Sequence, residues 1–191
     1  MERQDFISLL SPEGQALLAE IGPLEAKADV LKLVSSLRAK GHDAALVAAV
    51  LTQAKLRRRA AAKFGPFADR MIFTEAGLEQ ASRLSLAALH ANRFRQAGIT
   101  EVADLGCGIG AESLALASLD IDVKAFEIDE VTAAVATYNL AAFENAFVDQ
   151  ADVTTLDLSQ FEALFFDPAR RDLDGPARAK AIRKFDPAMF S

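Results

Sequence analysis

The chain has 191 residues, of which 51% are hydrophobic and 25% are charged, and its formal net charge is −6. This composition is typical of a globular chain with one sizeable core and an appendage, and the acidic balance argues against a broad nucleic-acid-binding surface. One cysteine and two well-separated histidines exclude a zinc cluster of the usual spacing. The longest apolar run, residues 44–51, is too short to span a bilayer, and the start shows no leader pattern, which predicts a cytoplasmic protein.

Residues 1–65 are predicted to form a small helical bundle. Ser11 followed by Pro12 is typical of a helix start, and Asp43 introduces a further helix whose apolar residues recur at helical spacing. That helix ends in a dense basic run: Lys55, Arg57, Arg58, Arg59 and Lys63. Cations at a helix C-terminus complement the helix dipole, which is the favoured interpretation, and a patch for RNA phosphates is the alternative.

A second helical stretch follows the bundle. Thr74 can cap a helix that begins at Glu75 and runs to about Gln96, and Gly98 provides its stop. This helix leads directly into the apolar residues 102–103, which begin the first predicted strand. The order of strand, glycine-rich turn and helix start that follows is typical of a nucleotide-binding α/β fold.

The turn at residues 104–110 points to a nucleotide-type cofactor. Its glycines, Gly106, Gly108 and Gly110, permit a sharp reversal and close contact between ligand and main chain, and a helix N-terminus follows. The pattern fits dinucleotides and S-adenosyl-L-methionine. Asp104 and Glu112 flank the turn with negative charge, which disfavours a pyrophosphate and favours a cationic sulfonium and ammonium. Cys107 lies inside this turn, where a structural thiol is the favoured interpretation.

Two more acidic residues follow predicted strands. Glu127 ends the second strand, roughly twenty residues after the glycine turn, which is the interval that places a carboxylate at a ribose in βαβ geometry. Asp129 is better explained as a helix cap. The apolar residues 161–166 predict a buried fourth strand, and Asp167 stands at its carboxyl end, where open α/β sheets bind their ligands.

These motifs together resemble the class I S-adenosylmethionine-dependent methyltransferases, whose first motif is Asp or Glu-x-Gly-x-Gly-x-Gly. The resemblance implies that Glu127 accepts hydrogen bonds from the ribose hydroxyls and that Ile128 lies against the adenine. It further implies that Asp152 accepts a hydrogen bond from the adenine amino group. Val153 then forms the wall of the adenine slot opposite Ile128. Gln80 corresponds to a segment that reaches the methionine end of the cofactor in such enzymes.

Residues 167–170 resemble the Asp-Pro-Pro-aromatic or Asp-Pro-Pro-Arg motif of methyltransferases that act on nucleic-acid bases and some protein amides. The resemblance implies that Asp167 and Pro168 position the accepting atom. Ala169 replaces the second proline, and Arg170 stands where an aromatic residue would stack on a base. Arg170 therefore pairs with a phosphate or carboxylate, or stacks through its guanidinium plane, in this interpretation. A plain Asp-Pro turn with solvated arginines is an equally open alternative.

The resemblance implies a Rossmann-like α/β fold with strand order 3-2-1-4, in which residues 66–191 bind the cofactor and residues 1–65 form a helical domain. A complete domain of this class has seven strands, so we expect the C-terminal part of the sheet to be missing. The chain would then be a truncated gene product, an engineered fragment or half of a split enzyme. Its exposed fourth strand predicts self-association or a partner segment that completes the sheet.

Three functions remain open at this point. The leading hypothesis is an S-adenosylmethionine-dependent methyltransferase that acts on RNA, because residues 64–171 resemble trimethylguanosine-synthase-like enzymes, in particular bacterial ones followed by a THUMP-like domain. The second is an NAD-type oxidoreductase, which the glycine pattern also permits. The third is a non-catalytic remnant that binds cofactor or RNA. No metal is expected, since methyl transfer from a sulfonium depends mainly on positioning.

Overall fold

The computed structural model describes residues 1–23 and 29–167 and contains a parallel sheet preceded by a set of helices. The helices are α1 (Arg3–Leu10), α2 (Pro12–Ile21), α3 (Val30–Ala39), α4 (Ala44–Phe64), α5 (Glu75–Gln80), α6 (Leu84–Gln96), α7 (Ala111–Ala117) and α8 (Glu130–Leu140). The strands are β1 (Glu101–Leu105), β2 (Asp122–Glu127), β3 (Ala146–Gln150) and β4 (Ala163–Phe166). Short 3₁₀ turns occupy Gly65–Asp69, Val153–Thr155 and Leu158–Gln160.

The four strands lie in the order β3-β2-β1-β4 and all pair in parallel, which confirms the predicted fold class and strand order. Leu105 at the end of β1 is in register with Phe126 on one side and with Phe166 on the other. The carboxyl ends of β1, β2 and β4 therefore meet at one edge of the sheet. Residues that follow these strands are brought together by this register.

The fourth strand is shorter and less buried than its apolar sequence predicts. It begins at Ala163, and all four of its residues are half-buried. Phe161 precedes it and packs edge-on against Phe126, with 5.7 Å between the ring centroids. Within the described residues β4 pairs only with β1, which accounts for its partial exposure. Self-association at this strand stays a prediction, and the helical or irregular piece expected at residues 178–185 lies outside the described residues.

The caps predicted for the N-terminal helices are confirmed. The side chain of Ser11 accepts a hydrogen bond from the Gly14 amide at the start of α2, and Asp43 accepts hydrogen bonds from two amides at the start of α4. The apolar faces of these helices share one hydrophobic cluster with the helices that flank the sheet, in which Leu9 and Phe64 lie with Leu140 of α8. No helix within residues 1–23 and 29–167 has the length and apolar character that a membrane crossing needs. The proposed domain boundary near residue 65 stays a prediction.

Side-chain amides hold an extended segment, residues 71–74, between α4 and α8. The Gln53 side chain donates to the Phe73 carbonyl at 2.8 Å and accepts from the Phe73 amide at 3.0 Å. Asn139 of α8 binds both backbone groups of Ile72, at 2.8 and 3.0 Å, and also donates to the Ile109 carbonyl at 3.0 Å. Each amide supplies a donor and an acceptor to buried backbone, as a neighbouring strand would.

The basic run of α4 acts largely within the molecule. The Arg57 side chain donates to the Met71 carbonyl, Arg59 forms an ion pair with Glu75, and Lys63 donates to three carbonyls at the end of α5. These contacts fasten α4 to residues 71–81. Lys55 and Arg58 are exposed. The basic side chains of α4 were predicted to complement the helix dipole. Three of them also form direct hydrogen bonds or ion pairs with residues 71–81, which the sequence did not reveal.

The single helix predicted from Glu75 to about Gln96 is wrong. It is two helices, α5 and α6, separated by extended backbone at Ala81, with ψ 137°, and at Arg83, with ψ 138°. Lys63 donates to the carbonyls of Leu78, Glu79 and Ala81 at 2.7–2.9 Å. An ammonium group thus satisfies the carbonyls that a continued helix would have bound, and the chain turns there.

We predict that Gln53→Leu destabilises the fold by about 2–5 kcal/mol, because two buried backbone groups of Phe73 lose their partners. The measurement is the free energy of unfolding in denaturant, together with hydrogen exchange of the Phe73 amide. Arg58→Ala, at an exposed site on the same helix, is the control and should change stability little. Equal stability of the two variants would contradict this role for Gln53.

Candidate functional site at the carboxyl edge of the sheet

The predicted site residues follow the ends of the four strands. Gly106 follows β1, Glu127 is the last residue of β2, and Asp152 comes two residues after β3. Asp167 directly follows β4 and is exposed. Because the strands are parallel and in register, these residues lie along one edge of the sheet. Pro168 and Arg170 lie outside the described residues, so their predicted roles stay predictions.

The glycine turn presents open main chain at this edge. Gly106 and Gly108 have φ angles of +83° and +56°, and a Cβ built on either would meet nothing within 4 Å. The amides of Gly106 and Cys107 both donate to the Phe126 carbonyl, at 2.8 and 2.9 Å, which ties the turn to β2. The space above the glycines suits a ligand that must touch the backbone.

The Glu127 carboxylate is held in place beside this turn. Its two oxygens accept hydrogen bonds from the amides of Gly108 and Asp129, each at 3.0 Å. Asp129 in turn caps α8, as predicted, by accepting from the Thr132 amide at 2.8 Å. Since each carboxylate oxygen has a further lone pair, Glu127 can accept additional hydrogen bonds from a ligand without rearranging.

Helix α5 lies directly against the glycine turn. A Cβ built on Gly77 would come within 2.4 Å of Ile109 Cγ2, so only glycine permits this approach. Gln80 ends α5 and is exposed, next to the carbonyls that Lys63 binds. The predicted contact of Gln80 with a cofactor stays a prediction, but the helix that carries it is packed on the turn.

Asp104 lies beneath the turn. It is 1% exposed, and the Ser113 hydroxyl of α7 donates to its Oδ2 at 2.6 Å. Burial raises the pKa of Asp104 to about 7, opposed by the hydrogen bonds from Ser113, and the nearby charges of Glu112 and Glu127 raise it further. The observed role of Asp104 is to link β1 to the start of α7, and its direct contact with a cofactor stays a prediction.

A pairing between Glu112 and His90 was missed in the sequence. Glu112, in the first turn of α7, is 8% exposed, and His90 Nδ1 of α6 lies 3.2 Å from its Oε2. Burial raises the pKa of Glu112, His90 lowers it, and the charge of Asp167 raises it. The His90 ring also packs on Phe165 of β4, with 5.5 Å between centroids. No local pattern connects these residues, because they come from three different elements.

The remaining predicted residues border the same edge. Ile128 is 65% exposed, unusually so for an isoleucine beside a core, and Val153 is half-buried against the far face of the sheet. Asp152 Oδ1 accepts from the amide and the hydroxyl of Thr154, at 2.9 and 2.7 Å, which fixes its orientation. Two apolar side chains and an oriented carboxylate therefore occur at this edge, and these are the kinds of group that an adenine site uses.

Cys107 behaves as a structural residue. It is 9% exposed, and burial raises the pKa of its thiol well above the ordinary value, with the charges of Asp104 and Glu127 adding to the effect. Because the thiolate is the nucleophilic form, this environment suppresses reactivity.

Among the described residues, no group of three or more histidine, cysteine, aspartate or glutamate side chains is arranged to hold a metal ion.

We predict that Asp104→Asn changes how stability depends on pH. The raised folded-state pKa means that the native chain keeps a proton between about pH 4 and 7 that the unfolded chain has lost. Wild-type stability therefore falls through this window, by up to roughly 1.4 kcal/mol per pH unit from this group. The asparagine variant should lose this decline, so its stability relative to wild type should rise with pH.

The measurement is the free energy of unfolding from pH 4 to pH 8. Asp122→Asn, at an exposed position at the opposite end of the sheet, is the matched control. A constant difference between Asp104→Asn and wild type at every pH would contradict the assignment.

Comparison with known families divides the chain into two matched parts. Residues 2–60 match a domain of unknown function, and residues 67–168 match the methyltransferase small domain. An uncharacterized S-adenosylmethionine-dependent methyltransferase of Mycobacterium tuberculosis, found in two strains, is 37% identical over 122 residues. That match covers 61% of this chain and 33% of the relative, so the chain spans about a third of the length of these relatives.

Solved structures with a similar shape include a proposed RNA methyltransferase from Pyrococcus horikoshii, at 22% identity and a TM-score of 0.49, covering 60% of this chain and 61% of that one. An amino pentose methyltransferase from Micromonospora echinaspora with bound S-adenosylmethionine is 28% identical, with a TM-score of 0.39 over 46% of this chain and 38% of that one. The family match at residues 67–168 covers more than half of the 191 residues. The chain belongs to the methyltransferase small domain family.

Proposed function

We propose that this chain is the cofactor-binding part of an S-adenosylmethionine-dependent methyltransferase. The observation that carries the proposal is the Glu127 carboxylate, which the Gly108 amide holds at 3.0 Å beside open glycine backbone. A ribose placed over the turn would find an oriented acceptor for its hydroxyls there. The mycobacterial relative, described as S-adenosylmethionine-dependent, supports the same cofactor.

The charge of the site favours this cofactor over a dinucleotide. Glu112 lies in the first turn of α7 and Asp104 lies beneath it, while Asp167 is close enough to raise the pKa of Glu112. A pyrophosphate at this helix N-terminus would meet these carboxylates, whereas an ammonium and a sulfonium would be attracted to them. The NAD-type alternative is therefore disfavoured by the residues that surround the turn.

Each residue has a positioning role in this proposal. Glu127 binds the ribose, Asp152 accepts from the adenine amino group, and Ile128 and Val153 line the adenine. The bound cofactor supplies an electrophilic methyl group on its sulfonium. Asp167, at the end of β4, orients the accepting atom of the substrate toward that methyl. Catalysis then depends on alignment, because an in-line displacement needs no metal and no covalent intermediate.

RNA is the substrate that we propose. Residues 167–170 resemble a motif of methyltransferases that act on nucleic-acid bases, and residues 64–171 resemble the trimethylguanosine-synthase-like group with its THUMP-like companions. The net charge of −6 means that RNA contacts must be local. Of the α4 basic run, Lys55 and Arg58 are exposed and could contribute, since Arg57, Arg59 and Lys63 are engaged inside the molecule.

The proposal is tested by calorimetric titration of the chain with S-adenosylhomocysteine, NAD and a mixed oligoribonucleotide. We expect S-adenosylhomocysteine to bind and NAD not to bind. Binding of NAD in preference would favour the oxidoreductase hypothesis. Binding of RNA without S-adenosylhomocysteine would favour a non-catalytic role.

We predict that Glu127→Ala weakens S-adenosylhomocysteine binding by roughly 1.5–3 kcal/mol, the cost of removing hydrogen bonds to a charged acceptor. Part of the loss comes from releasing the Gly108 amide, which Glu127 holds. Glu144→Ala, at an exposed position after α8, is the control. If Glu127→Ala remains folded and binds with unchanged affinity, Glu127 is not a cofactor ligand.

We predict that Asp167→Ala lowers methyl transfer by roughly 10²-fold or more while cofactor affinity stays nearly unchanged, because Asp167 faces the substrate end of the site. The assay follows transfer of a labelled methyl group to RNA in a form of the protein that is active, with Asp122→Ala as the control at the opposite end of the sheet. Full turnover in Asp167→Ala would show that Asp167 does not act on the substrate and that residues 167–168 serve only as a turn.

A further inference from the structure

A cavity lies in the helical region, away from the carboxyl edge of the sheet. It has a volume of about 420 Å³ and lies where α2, α4, the 3₁₀ turn Gly65–Asp69 and α8 meet. Its polar lining comes from Gln15, Arg57, Asp69, Arg70 and Tyr138. None of the predicted cofactor or substrate residues is among its described lining residues, so it is separate from the methyltransferase site.

Arg57 is the unusual residue of this cavity. It is 4% exposed, and its Nε donates to the Met71 carbonyl at 2.9 Å. Its two Nη groups have no hydrogen-bond acceptor and no carboxylate within ion-pair distance in the described part of the chain. In the described part of the chain, every side-chain nitrogen or oxygen that is inaccessible to solvent has a hydrogen-bond partner. The Nη groups must therefore be reached by solvent through the cavity.

The charge of Arg57 is only partly compensated. Burial lowers the pKa of its guanidinium, while Tyr138 and the negative charge of Asp69 raise it. A buried cation without a direct partner is costly, and buried arginines are normally paired. Two free Nη groups in a rigid plane fit two oxygens of one oxyanion, which would supply the missing partner.

We propose that this cavity binds a small molecule through a carboxylate or phosphate group, with Arg57 as the principal ligand. Arg70 is exposed at the rim and adds a second cation. With Asp69 also present, the three charges leave one net positive charge in the lining, which suits an oxyanion. The cavity volume is that of a small-molecule site and exceeds the needs of a lone ion.

The other polar lining residues are already ordered for such a ligand. The Tyr138 hydroxyl donates to Gln15 Oε1 at 3.0 Å, and Gln15 Nε2 donates to the Leu9 carbonyl at 2.8 Å. With its proton committed, the Tyr138 oxygen can accept a hydrogen bond from the ligand. The expected ligand therefore carries an oxyanion together with a hydroxyl or amine donor.

The test is the thermal unfolding temperature of the chain in acetate, inorganic phosphate and chloride at equal ionic strength. We expect a saturable rise in acetate or phosphate over chloride, and the anion that gives it identifies the group. Arg70→Gln should weaken the apparent affinity by roughly tenfold, the effect of one charge-assisted hydrogen bond. Arg93→Gln, with the same change of charge at an exposed site on α6, should behave as wild type.

Arg57→Gln should abolish the rise, and if that variant does not fold, the comparison of Arg70→Gln with Arg93→Gln decides. Equal unfolding temperatures in all three salts, or equal effects of the two variants, would overturn the proposal. A rise given by a short oligoribonucleotide and by neither small anion would also overturn it. S-adenosylhomocysteine binding should be unaffected in Arg70→Gln, so failure here is distinguishable from failure of the methyltransferase assignment.

Discussion

The structure depends on the way in which α4 and α8 hold residues 71–74. These residues are fully buried but belong to no strand, so their backbone groups need partners from side chains. Gln53 supplies both partners of Phe73, and Asn139 supplies both partners of Ile72. Because Asn139 also binds the Ile109 carbonyl in the glycine turn, one amide fixes the turn to the segment that precedes it.

This arrangement gives the helical region a role in shaping the site. Residues 71–74 lead into α5, and α5 packs on the glycine turn through Gly77. Lys63 of α4 then holds the carbonyls at the end of α5, where Gln80 stands. The segment that would reach a cofactor is thus positioned from the helical region and from α8. The two family matches, at residues 2–60 and 67–168, meet in one continuous hydrophobic cluster.

The sequence predicted the elements that depend on local chemistry. The glycine turn and the helix starts at Ser11 and Asp43 follow from short patterns, because backbone conformation is set by neighbouring residues. The parallel strand order is non-local, and it was predicted from the family resemblance. The break after α5 could not be predicted in this way, since it is satisfied by Lys63, which lies more than a dozen residues upstream. The pairing of His90 with Glu112 and the burial of Arg57 could not be predicted either, because both depend on residues that are distant in the sequence.

The electrostatics of the site set a condition on its substrate. Glu112 and Glu127 lie at the glycine turn, Asp104 is buried beneath it with a raised pKa, and Asp167 follows β4 at the same edge of the sheet. This field attracts a cationic cofactor and repels an approaching phosphate chain. For the RNA substrate that we propose, this field favours an unpaired base at Asp167 with its phosphates at a distance. Single-stranded or flipped bases satisfy this condition better than a continuous duplex, because the base can enter the site without its backbone.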